Sequence, residues 1–151
     1  MKFCKFFFQN MPSWRNEYFV LSNGVRLPSV GLGTFRIKGQ TSVDVSVQTA
    51  LKKGYRLIDT ASVYRNEAFI ATTLNNQKSF SRPDIFLTSK LGPKDHGCEK
   101  AKLAFKQSLQ NLQTNYLDLY LIHWPGVQGL QVRRYSTPNL VSPFWFFFHF
   151  R

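Results

Sequence analysis

Across residues 17–125, short β-branched or apolar runs alternate with longer segments of helical period, and this alternation constrains the fold more than any other feature. Strands that alternate with helices of this length read as repeated βα units on a parallel sheet, so an α/β fold is predicted. The individual elements follow from local chemistry. Residues 17–21 and 25–27 flank Ser22-Asn23-Gly24, and an Asn-Gly pair accepts positive φ readily, which predicts a β-hairpin. Residues 29–32 form a short apolar run that ends in Gly31-Leu32-Gly33-Thr34, a strand leading into a glycine-bearing loop.

Thr41-Ser42-Val43-Asp44 carries a hydroxyl and, three positions after Thr41, an acid, which predicts a capped helix start. Val43, Val47, Ala50 and Leu51 then recur at helical spacing, and Gly54 is the expected stop. Residues 57–61 read as a second strand, 66–74 as a second helix and 84–90 as a third strand. Leu103, Phe105, Leu109 and Leu112 lie in helical register within residues 98–112. Residues 116–123 form a nearly continuous apolar run, as a parallel strand buried on both faces requires. No helical pattern follows this fourth strand.

A chain of 151 residues lies within the ordinary range of one domain and can bury a core. The formal charge is +12, but Lys2, Lys5, Arg133, Arg134 and Arg151 lie in two acid-free terminal stretches. Residues 11–126 keep 15 basic and 8 acidic residues, a balance of +7. These charges are scattered as on solvated helix faces and accompany no nucleic-acid-binding motif, so no nucleic-acid partner is expected. Cys4 and Cys98 supply no disulfide framework and match no zinc spacing, so no metal is expected and the cytoplasm is the default compartment. The opening apolar stretch is interrupted by Lys5 and lacks a cleavage site, and residues 144–150 fall far short of the roughly 20 residues of a spanning helix. No membrane span is predicted.

Asp59, Tyr64, Lys90 and His123 fall at the carboxyl ends of predicted strands or just beyond, the rim on which βα barrels build their active sites. Two blocks surround them. The 14-residue stretch Gly54-Tyr55-Arg56-Leu57-Ile58-Asp59-Thr60-Ala61-Ser62-Val63-Tyr64-Arg65-Asn66-Glu67 resembles the aldo-keto reductase signature, and residues 108–125, ending in His123-Trp124-Pro125, are similar to a second segment of that family. Between them Phe86-Leu87-Thr88-Ser89-Lys90 matches the family's lysine-bearing strand. The fold expected from the resemblance is a partial (β/α)8 TIM barrel of about four βα units, with an amino-terminal β-hairpin and a divergent carboxyl-terminal tail.

That resemblance implies an NADPH-dependent oxidoreductase reducing aldehyde or ketone carbonyls to alcohols. Tyr64 is then the proton donor, Lys90, oriented by Asp59, its assisting cation, and His123 the residue that orients the carbonyl. A free phenol has a pKa of about 10, so a cation that stabilises the phenolate is expected to help. Gly33, Thr34 and Asp59 correspond to residues near the cofactor, and Phe35, His123 and Trp124 to the substrate pocket. Gly31-Leu32-Gly33-Thr34-Phe35-Arg36 is not a Rossmann loop, because Arg36 stands where the third glycine belongs.

The resemblance covers residues 18–125, about four of the eight units of such a barrel, and the later loops that would grip most of the NADPH are not among them. The expected division is an extension at 1–16, a partial aldo-keto reductase domain at 17–126 and a divergent basic and aromatic tail at 127–151. A sheet stopped at its fourth strand is expected to leave that strand's edge unpaired, available for self-association. Two other readings stand beside the enzyme: a truncated, catalytically inactive chain that acts as an interaction protein or has no function, and a membrane-surface anchor built on Arg133, Arg134, Trp145 and the tail phenylalanines.

Overall fold

The computed structural model describes residues 17–124 and the backbone of Phe148–Phe150. The proposed extension at 1–16 and most of the tail, including Arg133, Arg134 and Trp145, lie outside the described residues.

The predicted hairpin is present. β1 (Tyr18–Val20) pairs antiparallel with β2 (Arg26–Pro28), and Gly24 takes φ 80° at the turn, where a side chain would be strained. β3 (Gly31–Gly33) starts the main sheet, followed by α1 (Gln40–Lys52), β4 (Leu57–Asp59), α2 (Glu67–Asn76), β5 (Phe86–Leu91), α3 (Cys98–Asn111) and β6 (Leu117–Ile122). Strands β3 to β6 are parallel and neighbour one another in chain order, which makes three βα crossovers of an unclosed barrel. Gly31 lies opposite Leu57, and a Cβ on Gly31 would stand 2.5 Å from the Leu57 side chain, so β3 and β4 pack closely only because residue 31 is glycine.

The core lies between the sheet and the helices. Val43, Val47 and Leu51 from α1 meet Ile70 from α2, Ile58 and Leu87 from the sheet, and Leu117 from β6. At the amino end of the sheet a polar tie fixes the register of β5 and β6. The Arg82 guanidinium donates to Asp118 at 2.8 Å, to the carbonyls of Ile85 and Tyr116, and to Thr114, while Asp118 also accepts the Leu87 N–H at 2.9 Å.

Two expectations are corrected. The first helix begins at Gln40, one residue ahead of Thr41, with Gly39 at its cap position and no side-chain cap. The acid of the expected capping box, Asp44, instead accepts hydrogen bonds from Gln40 and from Thr73 of α2, so tertiary packing of α1 on α2 has taken the group that local pattern assigned to the cap. The edge of β6 is also not open: β7 (Phe148–Phe150) pairs with it antiparallel, opposite Leu117 and Tyr120. Among the described residues the outer strands of the main sheet are β3 and β7.

Candidate active site

The four residues singled out at the strand ends converge. Asp59 closes β4, Tyr64 ends the 3-10 turn Ser62–Tyr64 that follows it, Lys90 is the penultimate residue of β5, and His123 stands immediately after β6. Parallel pairing brings them together: β4 places Asp59 beside Thr88, two residues before Lys90, and the Leu91–Ile122 pair brings His123 level with the end of β5, where its N–H donates to Leu91 O at 3.1 Å.

The Lys90 ammonium is committed on three sides, to Asp59 Oδ1 at 2.6 Å, Asp59 Oδ2 at 2.7 Å and Thr60 O at 2.9 Å. It stands 5.3 Å from the centre of the Tyr64 ring. The ring of Tyr64 lies 5.5 Å from that of His123, edge to face, and 5.2 Å from that of Phe35. His123 in turn stacks on Trp124 with ring centres 6.4 Å apart.

The electrostatics depart from expectation. Burial, and after it the Asp59 carboxylate, push the Tyr64 phenol above its ordinary value. Lys90 does not produce the expected fall, because its three protons are directed at Asp59 and Thr60 and the carboxylate offsets its charge. Tyr64 is therefore held protonated across the neutral range, the state in which it can give a proton. Burial and the neighbouring Lys90 charge hold the His123 imidazole below its ordinary value, against a smaller opposing pull from Asp59. A neutral imidazole can donate one hydrogen bond and accept another, and its buried Nδ1 has no partner among the described residues.

Of the residues expected near a cofactor, Gly33 is exposed with open space where a side chain would project. Thr34 is buried, and its hydroxyl donates to Asp59 O at 3.0 Å, so that side chain serves the framework. Phe35 and Trp124 are both exposed, at 61% and 62%, beside Tyr64 and His123 respectively, as walls of a pocket facing outward from the strand ends would be.

Two residues that the sequence did not mark as part of the site, Asn66 and Glu67, support it from behind. Asn66 and Glu67 are buried at the start of α2, where Asn66 is bonded to Thr60 and to the loop after β3. Glu67 accepts from Ser89 Oγ at 2.7 Å and from Asn111 Nδ2 at 3.0 Å, pinning the outer face of β5 one residue away from Lys90. An asparagine before a helix would be expected to cap it, yet the Asn66 side chain makes no cap bond. The available signal was position: both residues close the block that contains Asp59 and Tyr64.

Among the described residues no group of His, Cys, Asp and Glu could hold a metal ion, and no helix is long and apolar enough to cross a membrane.

Comparison with known proteins places the chain in a family. The family model for the aldo/keto reductase family matches residues 29–129. The glyoxal reductase of Bacillus subtilis strain 168 is 43% identical over 77% of this chain and 42% of its own length. The aldose reductase of Encephalitozoon cuniculi is 44% identical over 70% of this chain and 35% of its own. Among solved structures, an aldo/keto reductase from Brucella melitensis superimposes with a TM-score of 0.67 at 42% identity, covering 72% of this chain and 41% of that one. The aldose reductase of Schistosoma japonicum gives 0.67 at 42% identity over 76% and 40%. The chain thus spans less than half the length of these relatives. With the match running through the whole strand-end cluster, the chain belongs to the aldo/keto reductase family.

Proposed function

We propose that this chain carries the catalytic residues of an NADPH-dependent carbonyl reductase, with Tyr64 as proton donor. The observation that carries the proposal is the convergence of Asp59, Tyr64, Lys90 and His123 on one rim, with the phenol held protonated. Relatives that bear the names glyoxal reductase and aldose reductase support an aldehyde or ketone as substrate class.

The residues present fit the nicotinamide end of such a cofactor: the open space at Gly33 and the exposed Phe35 and Trp124 leave room above the strand ends. When bound, NADPH supplies the hydride that forms the new C–H bond. The carbonyl's π electrons move to oxygen, which takes the proton from the Tyr64 hydroxyl and becomes the alcohol. Asp59 and Thr60 keep the Lys90 ammonium beside the Tyr64 ring, where it would be the cation facing the phenolate left behind, although in the free chain the Asp59 carboxylate cancels its pull on the phenol. His123, neutral, orients the carbonyl by a hydrogen bond to its oxygen.

The test is a titration of the purified full chain with NADPH, followed by nicotinamide fluorescence, then turnover with aldehydes. Saturable binding and reduction are expected, with Tyr64→Phe leaving binding largely intact and lowering kcat by about 10²-fold or more. A folded sample with no saturable binding would sink the enzymatic reading. A second reading is favoured by one observation, an apolar groove of about 260 Å³ between α3 and the β5–β6 strands, lined by Leu91, Ala101, Phe105, Tyr120 and Ile122. An apolar surface of this kind suits an interaction protein.

A further inference from the structure

We infer that Asn66 is a positioning residue that holds a strained turn, Thr34 to Ile37, so that Phe35 at its apex stays against Tyr64. The turn closes with the Ile37 N–H donating to Thr34 O at 3.1 Å, and its third residue, Arg36, takes φ 64°. A left-handed conformation at a residue with a Cβ is strained, because the Cβ crowds the following carbonyl oxygen. Glycine or asparagine is the usual occupant of such a position in a turn. The strain at Arg36 therefore requires an outside restraint.

Asn66 supplies it. Its Nδ2 donates to Thr34 O at 2.9 Å and to Ile37 O at 3.1 Å, the carbonyls at the two ends of the turn. Its Oδ1 accepts the Thr60 hydroxyl at 2.7 Å, which fixes the plane of the amide. The side chain is 1% exposed, so no water replaces these bonds if they are lost. The turn is tied a second time, through the Thr34 N–H and hydroxyl to Asp59 O, but both of those bonds act at its first residue. At the turn's far end Asn66 bonds the Ile37 carbonyl, while the Ile37 side chain packs against the core.

Phe35 and Arg36 are exposed; the Phe35 ring centre lies 5.2 Å from that of Tyr64, and the Arg36 guanidinium lies over the Phe35 ring, 5.1 Å from its centre. No described core residue holds Phe35 down. Its place beside the phenol is set by the turn, and the turn by Asn66. That Phe35 walls a substrate pocket rests on the carbonyl-reductase reading; that Asn66 sets its position does not.

The experiment uses the full chain with ring-labelled Phe and Tyr and reads through-space NMR contacts between the Phe35 and Tyr64 rings. Asn66→Ala is expected to abolish those contacts while the contacts across the β4–β5 pair persist. Adding Arg36→Gly to Asn66→Ala is expected to restore them, since glycine adopts positive φ without strain. Contacts that persist in folded Asn66→Ala overturn the inference. So does their loss together with the β4–β5 contacts, which marks a general structural role. If Asn66→Ala does not fold, the parent chain decides: Asn66 side-chain amide protons that exchange slowly and show contacts to the Thr34–Ile37 turn support the inference, and rapid exchange overturns it. NADPH titration of the same samples separates the two readings, because failure to bind cofactor leaves the ring contacts unchanged.

Discussion

Two halves of the sheet are covered very differently. Over β3, β4 and β5, α1 and α2 bury Val43, Val47, Leu51, Ile70 and Ala71 almost completely. Over β5 and β6, α3 buries fully only Ser108, leaves Leu103 67% exposed and borders the apolar groove. Both helical layers have an apolar periodicity, yet among the described residues only the first has its apolar face closely covered. Burial of a helix face is set by its neighbours as well as by its own pattern. α1 and α2 brace each other, partly through Asp44, Gln40 and Thr73. α3 has α2 on one side and, on the other, the groove.

The largest test of this contrast is a cavity in the first half. Ile70→Ala removes a side chain that is 0% exposed and packed in the central cluster. It is expected to destabilise the chain by about 2–5 kcal/mol, read as a shift in urea midpoint at constant slope. A cost below about 1 kcal/mol would show that the first half is no better packed than the second, and the comparison would fail.

Next comes the polar tie that joins the halves at the amino end of the sheet. Asp118→Ala leaves the Arg82 guanidinium and the Leu87 N–H without the acceptor they share. Loss of a buried acceptor leaves donors unsatisfied at about 1–3 kcal/mol. The same urea measurement applies, and hydrogen exchange at Leu87 should quicken in the variant. An unchanged Leu87 rate would mean that strand pairing alone holds β5 to β6.

The order of these effects also explains what was legible in the sequence. The hairpin, the three parallel crossovers and the long helices were readable because each rests on a local signal: Asn23-Gly24 for the turn, the 43-47-50-51 spacing for α1, the continuous apolar run for β6. The start of α1 was misplaced because Asp44 is used by Thr73, 29 residues away, and no local pattern records a tertiary bond. The strand-end position of Asp59, Tyr64, Lys90 and His123 was readable from strand boundaries and the two sequence blocks. The rise at Tyr64 was not, since it depends on how deeply the fold buries the phenol and how near it brings the Asp59 carboxylate. Asn66 and Glu67 were overlooked for the same reason: their bonds run to residues 34, 37, 89 and 111.

His123 gives a smaller, pH-dependent effect at the end of β6. Its imidazole is held below the ordinary value of 6.5 by burial and Lys90, so the folded chain binds that proton less readily than the unfolded chain. The sign follows: the neutral form's contribution to stability is fully present above about pH 6.5 and is lost as pH falls through the lower folded value. Urea midpoints of the parent and of His123→Gln at pH 8, 6.5 and 5 should therefore converge or cross toward acid, the parent losing more. Parallel curves would mean that the site around β6 is as wet as free solvent.

The smallest expected effect falls on α3. Leu103 sits in the apolar register of its helix but faces out, so removing it should empty no cavity. Leu103→Ala is expected to change stability by no more than about 0.5 kcal/mol, against several for Ile70→Ala, a residue of the same volume class. Alanine also has the higher helix propensity, which offsets part of any lost contact. The informative readout is therefore association: sedimentation velocity over a concentration series, comparing the parent with Leu103→Lys. If the exposed leucine contributes to a sticky face beside the groove, the lysine variant should stay monomeric to higher concentration. If instead Leu103→Ala costs as much as Ile70→Ala, the residue is covered in solution, and the two helical layers are equally complete.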